Sequence, residues 1–276
     1  MRTLQLFLVS LLMWSSMCAQ DKRVLLRWKV PANRPIAFEY ILENVSSTMD
    51  SRSKSTMDLL FGTRSGDTCI CLLKLLPNGG LAVALVANRI SGDSTTLGNL
   101  GKLRAEAQLA FGRTQLRGEI TTSGEITSFY MEQSQKNLLA MLCELPKDSV
   151  RVGDTWSLHT NLLWVKGAFH ADTAIQENSV RLSGITEHDG DLLAELEYKL
   201  FEYVSGYNGL RSEKTHSGTS YGYQGTAVFN VTQGCWQSYE CITTRENKYP
   251  VFIGTKQHST VHPVHDIPSD VLESQD

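Results

Sequence analysis

Residues 68–76 (TCICLLKLL) and 81–90 (LAVALVANRI) are apolar on both faces, and Pro77-Asn78-Gly79-Gly80 stands between them. That arrangement predicts a tight antiparallel hairpin. A strand without a polar face must be covered on both sides. The chain therefore has to place other elements above and below this hairpin, and it reads as the centre of a core.

Residues 132–156 (EQSQKNLLAMLCELPKDSVRVGDTW) offer one such cover. From Leu138 the apolar positions recur at i, i+3, i+4 and i+7, which is one face of a helix. Pro146 ends it, because proline lacks an N–H and disfavours helical geometry at Leu145. Gly153-Asp154 is a turn signal, and a strand is expected over 156–165. The plainer reading is a helix that plugs a sheet and joins two halves of the chain. The functional reading is a hinge or lid over a ligand cavity lined by Leu138, Leu139, Met141, Leu142 and Leu145.

Alternation elsewhere is that of half-buried strands. Val24, Leu26, Trp28 and Val30 alternate with Leu25, Arg27 and Lys29, and Phe38, Tyr40 and Leu42 lie opposite Glu39 and Glu43. Residues 56–63 read as a strand, and 102–111 fit a helix or a strand equally. Residues 117–120 and 125–131 form a second hairpin around Ser123-Gly124. In the second half, 179–187 and 192–204 flank the turn 188–191. Residues 215–223 (rich in Ser, Thr, Gly and Tyr) read as a loop or edge strand. Residues 225–232 and 235–244 make a last hairpin around Gln233-Gly234, and 248–261 is a final strand.

The halves also resemble each other. Gly80 corresponds to Gly190, Gly124 to Gly234 and Ser128-Phe129 to Ser238-Tyr239, each 110 positions apart, and Ile90-Ser91-Gly92 echoes Val204-Ser205-Gly206. A period this long points to two duplicated modules and not to a solenoid. The expected fold is mainly β: two similar antiparallel β modules, half-barrel or sandwich-like, joined by a short central helix. The modules are 21–145 and 146–262, followed by an acidic tail over 263–276.

The N-terminus predicts export. Arg2 precedes an apolar run from Leu4 to Met13, and small residues follow it. A basic start and an apolar run of about ten residues make a signal peptide, here 1–20. A membrane span needs about twenty, so no transmembrane segment is expected. The mature protein is expected in the periplasm or secreted. A lipoprotein anchored through Cys18 is the alternative, although Ser15 and Met17 match such a signal poorly. A net charge of −3 gives no general attraction to nucleic acid.

Little points to catalysis. Cys69, Cys71, Cys143, Cys235 and Cys241 remain after the leader, an odd number without a framework spacing, and most read as buried thiols. His258, His262, His265 and Asp266 contain metal-ligand types, but Pro263 breaks any helix that would align them; a solvated tail is the simpler reading. No GxSxG elbow, phosphate loop or GxGxxG motif occurs. Glu195 and Glu197 share a strand face as solvated residues do, and Glu119/Glu125 is no better as an acid pair. Tyr198, Phe201, Tyr203, Tyr207, Tyr221, Tyr223, Phe229, Trp236 and Tyr239 make the second half aromatic, which fits packing or a ligand surface.

The stretch Leu145-Pro146 with Val150-Arg151-Val152-Gly153-Asp154-Thr155-Trp156 resembles a family of uncharacterised exported proteins of Gram-negative bacteria, known as a domain of unknown function. Their pattern is an apolar helix, then LP, then V-x-V-G-D-x-W. The resemblance implies an envelope location and a two-module β architecture, and brings no catalytic residues or cofactor. Taken together, the sequence favours a non-enzymatic binding protein for a lipid or another apolar or amphipathic ligand. A structural or assembly component of the envelope that works through a protein partner is the second reading, and a hydrolase the third.

Overall fold

A computed structural model describes residues 22–47, 67–89, 114–129, 133–163, 169–208, 216–248 and 253–273. The leader, the strand expected over 56–63 and the undecided stretch 102–111 lie outside the described residues. The fold is mainly β. The strands are β1 (Ile36–Ser47), β2 (Asp67–Leu75), β3 (Leu81–Arg89), β4 (Thr114–Ile120), β5 (Ile126–Phe129), β6 (Thr155–Trp156), β7 (Phe169–His188), β8 (Asp191–Asn208), β9 (His216–Asn230), β10 (Cys235–Asn247) and β11 (Ile253–Val264). Helix α1 (Gln133–Cys143) lies between β5 and β6, and α2 (Ser269–Glu273) follows β11.

All eleven strands belong to one antiparallel sheet in the order β5-β4-β3-β2-β1-β11-β10-β9-β8-β7-β6. The early strands β1–β5 and the late strands β7–β11 are joined by the pairing of β1 with β11, from Ala37 opposite Val264 to Ser47 opposite Thr255. The sheet is not closed, because β5 and β6 are its two edges. Helix α1 lies on the chain's path from one edge to the other.

The hairpin β2–β3 is covered on both faces, as its composition requires. On one face, Cys71, Leu73, Leu81 and Val83 pack into the main core with Leu139, Met141 and Leu142 of α1. On the other, Ile70, Leu72, Ala84 and Val86 pack with Ala37 and with Val271 of α2. Burying a side chain of this kind contributes about 1.5–3 kcal/mol each, so each face has its own reason to be covered.

The C-terminal end of α1 has an unusual cap. The last carbonyls of a helix lack partners within it. Here three buried aromatic donors supply them: Tyr239 Oη donates to the Met141 carbonyl (3.1 Å), Trp236 Nε1 to Leu142 (2.8 Å) and Trp28 Nε1 to Cys143 (2.7 Å). Trp28, Phe229, Trp236 and Tyr239 pack edge-on around this point, with ring centroids 5.1–5.8 Å apart.

Four expectations change. Residues 22–30 are extended, and Val24, Leu26, Trp28 and Val30 are buried, but they form no strand of the sheet. Val24 makes one isolated bridge with Val150, and the chain then meets the turns at Thr122 and Gly234. Alternation reports one buried side of an extended chain, not a ladder of hydrogen bonds. The strand expected from Trp156 ends at once, because side chains and not a neighbouring strand satisfy residues 157–163. Residues 216–223, expected as a loop or edge strand, continue into 225–230 as one interior strand, β9, between β8 and β10. Finally, His258 and His262 lie in β11 near the middle of the sheet, and the chain beyond them returns as α2 with Val271 fully buried, so this end is not a loose tail, although His262, His265 and Asp266 are solvated as expected.

Candidate functional site

The five residues expected to line a cavity, four in α1 and Leu145 just beyond it, lie in the main core. Leu139, Met141, Leu142 and Leu145 are buried, and Leu138 packs against them half-buried. Their neighbours include a layer of tyrosines. Burial pushes the hydroxyls of Tyr198, Tyr223 and Tyr239 well above the ordinary tyrosine range and holds the Cys241 thiol at about 11, so these groups stay neutral. Tyr223 and Tyr239 hydrogen-bond through their hydroxyls. These aromatic residues, with Phe229 and Trp236, are packing residues; Tyr207 is the exposed exception.

A polar strap runs beside the core. Asn178 accepts from the Leu158 N–H (2.9 Å) and donates to its carbonyl (2.7 Å). Glu144 accepts from the His159 N–H (2.9 Å), and its Oε1 lies 2.5 Å from His159 Nδ1. Asn137 repeats the two-way amide contact on Asn161, and Glu202 accepts from the Leu163 N–H (2.8 Å). Asn137, Glu144 and Glu202 are buried. Asn137 of α1, Glu144 just beyond it, Asn178 of β7 and Glu202 of β8 thus take over the role of a neighbouring strand.

Among the described residues, Ser205, Asp172 and His216 come together, in the wrong order for acyl transfer. Ser205 Oγ donates to Asp172 Oδ1 (2.9 Å), and His216 Nε2 lies 2.8 Å from Asp172 Oδ2. The carboxyl stands between hydroxyl and imidazole, so the imidazole cannot take the serine proton as a triad demands. The hydrogen bonds from Ser205, then His216, hold the Asp172 carboxyl below the ordinary aspartate range. A depressed carboxyl stabilises the fold above its unfolded-state pKa, and that contribution is lost as pH falls through the lower folded value. Following the Asp172 carboxyl carbon by NMR should give a midpoint below that of a model aspartate. Ser205→Ala should raise it, and an unchanged midpoint in that variant would remove Ser205 as the main cause.

Among the described residues, no group of three or more His, Cys, Asp or Glu side chains could hold a metal ion. His258 instead bridges to Glu240 (2.8 Å) and Glu43 (3.9 Å) across the sheet. No helix among the described residues is long and apolar enough to cross a membrane.

Among the described residues, a concave feature with ligand dimensions lies elsewhere. A groove of about 810 Å³ opens where β1 begins and β11 ends. Its lining includes Ala37, Leu193, Cys235, Val264, Ile267 and Leu272, with Arg34, His188, Asp189, Asn230, Gln233, His265 and Asp266 as polar members. Ala37 and Val264 are cross-strand partners, and Asn230 lies opposite both Cys235 and Leu193. Asp191 Oδ2 accepts from Asn230 Nδ2 (2.8 Å) and Gln233 Nε2 (2.7 Å), while Gln233 N donates to Asn230 Oδ1 (2.8 Å). That network fixes one wall. Burial, then the Asp191 charge, raises the Cys235 thiol, which disfavours a reactive thiolate in the groove.

Sequence reasoning did not find this groove. Its residues come from six strands, their turns and the C-terminal segment, and no local spacing brings them together. A local sign is the trio of polar residues Asn230, Thr232 and Gln233 beside the turn glycine Gly234. No protein-family model matches the chain, and no curated protein matches it.

Proposed function

We propose that this chain is an exported, non-enzymatic binding protein for an amphipathic ligand such as a lipid, held in the groove between β8–β11, the start of β1 and α2. The observation that carries the reading is the groove itself: apolar residues and convergent polar groups in one concavity of ligand size. The basic-then-apolar leader over 1–20, and the resemblance of 145–156 to exported envelope proteins, support the location.

Native mass spectrometry of the full chain purified from its own envelope tests this. A lipid at near-stoichiometric amount is the expected result. Leu272→Glu at the edge of the groove and Cys235→Trp within it should each lower the bound amount about tenfold, an effect of roughly 1.4 kcal/mol, with unchanged far-UV circular dichroism. A clean apo mass would sink the carrier reading.

A specific surface favours the second reading, an envelope component acting by protein contact. Residues 170–176 of β7 are exposed throughout, with Ile175 at 53%, and β6 pairs only with Arg181 and Val180. An edge strand of this kind is a template for pairing with another chain. Cross-linking in the envelope would then capture a partner at β7.

We also infer that the two halves descend from one module. The order β5-β4-β3-β2-β1 is repeated by β10-β9-β8-β7-β6 after one intervening strand, β11. Gly79 and Gly190 then occupy equivalent turns, as do Gly124 and Gly234, and all four have positive φ (81°, 83°, 80° and 70°). This supports duplication, with Gly79 in place of Gly80 as the partner of Gly190.

A further inference from the structure

The groove differs at its two ends. It crosses the strands from the turn between β7 and β8 to the start of β1, where α2 borders it. At the turn, the charged groups are engaged within the protein: His188 Nδ1 lies 3.2 Å from Asp189 Oδ2, and Asp191 holds the amides of Asn230 and Gln233. At the other end Arg34 and Asp266 line the groove, and both are exposed. Among the described residues neither side chain has an ion-pair or hydrogen-bond partner, and they do not pair with each other. The floor between the ends is largely apolar. Leu193 stands opposite Asn230, Asn230 opposite Cys235, and Val264 opposite Ala37. From β8 to β1 this floor crosses four strand spacings, about 19 Å in all. Gln237, the extra residue of a bulge in β10, adds a neutral hydrogen-bonding side chain midway.

We propose, resting on the reading of this groove as the ligand site, that its occupant is a single-chain amphiphile whose head carries both a phosphate and an ammonium. Arg34 receives the phosphate, since a guanidinium offers a planar fork of donors matched to it. Asp266 receives the ammonium. A purely anionic head would bring like charge against Asp266, and a purely cationic head would bring it against Arg34; either contact costs affinity. The two open groups sum to zero charge, and so does the head that matches them. The acyl chain lies along the apolar floor towards Leu193, where the charged groups are already engaged and offer a head nothing. A groove of about 810 Å³ is of the size that encloses one drug-sized ligand, which suits one acyl chain and not two.

Isothermal titration of the full chain tests this with three single-chain probes below their micelle concentrations: lysophosphatidylethanolamine, palmitate and hexadecyltrimethylammonium. Phosphoethanolamine, the head without a chain, is the fourth probe. The zwitterionic lipid should bind once per chain and about fivefold more tightly than palmitate or the cation, the upper range for exposed charge contacts, and phosphoethanolamine should not bind. Arg34→Gln should weaken the zwitterionic lipid and turn the preference towards hexadecyltrimethylammonium. Asp266→Asn should weaken it and turn the preference towards palmitate. Both variants should keep their far-UV circular dichroism. Equal binding of the three lipids, or variants that move no preference, with binding still lost in Leu272→Glu, overturns the head-group assignment and leaves the groove as the ligand site. Phosphoethanolamine bound as tightly as the lipid overturns the acyl chain as part of the ligand. No binding of any probe overturns both readings.

Discussion

Trp236→Ala should destabilise the fold by about 3–5 kcal/mol, the range for removing a large buried aromatic side chain. Trp236 is 1% exposed and packs edge-on against Phe229 (5.1 Å), Tyr239 (5.4 Å) and Trp28 (5.8 Å). Its removal opens a cavity at the centre of this cluster. It also strands the Leu142 carbonyl, which accepts the Trp236 indole N–H and sits in the unpaired last turn of α1. Trp236→Phe separates the two effects. It keeps most of the packing and loses the donor, so its cost should be smaller, about 1–3 kcal/mol for an unsatisfied buried acceptor. Urea unfolding followed by far-UV circular dichroism reads both. A loss below about 1 kcal/mol for the alanine variant would mean that the end of α1 is anchored elsewhere.

Gly124→Ala should be worse still, with little folded protein recovered. Gly124 has φ of +80°, and a Cβ there would run into the backbone at Cys143 and Glu144, just where α1 ends. The turn between β4 and β5 thus touches the helix terminus backbone to backbone, and Leu145 donates its N–H to the Ser123 carbonyl (2.7 Å) beside it. Neither side can give way without moving the helix. Gly190→Ala is the matched control. Its φ is +83°, yet a Cβ there meets nothing within 4 Å. Only the backbone penalty of the left-handed region applies, about 1–2 kcal/mol. Comparable losses in the two variants would show that the contact with α1 does not matter.

What the sequence made legible was whatever local period and composition control. The hairpin β2–β3, the apolar face of α1 and its stop near Pro146 all follow from residue types within a few positions. The burial of Val24, Leu26, Trp28 and Val30 was equally plain. Whether that segment pairs in the sheet was not, since pairing depends on distant neighbours. The strand β9 was obscured for a related reason. Gly218 and Gly222 contribute no side chains, and their places are filled by Tyr203, Phe201 and Thr244 from β8 and β10. A strand completed by its neighbours shows no period of its own. The same holds for residues 157–163, which Asn137, Glu144, Asn178 and Glu202 support one contact at a time. His258 and His262 looked like a loose end because a proline follows them. Pro263 is instead accommodated at the end of β11, opposite Phe38. The groove was the least legible feature, being assembled from segments that the sheet order alone brings together.

The pairing of β1 with β11 has a consequence for how the protein is made. Glu39 and His262 are cross-strand partners, and nearly the whole chain separates them. Loop-closure entropy has to be met before such a distant contact returns any stability. A polypeptide emerging from its N-terminus can assemble β1–β5 early. It must then hold the inner margin of β1 open until the final strand has been synthesised. That margin is an unpaired strand edge, the kind of surface on which chains associate, and it persists until β11 pairs with it. Completion of the sheet is therefore a late, single event, and truncations that remove β11 should fail as a whole and not leave a stable remnant.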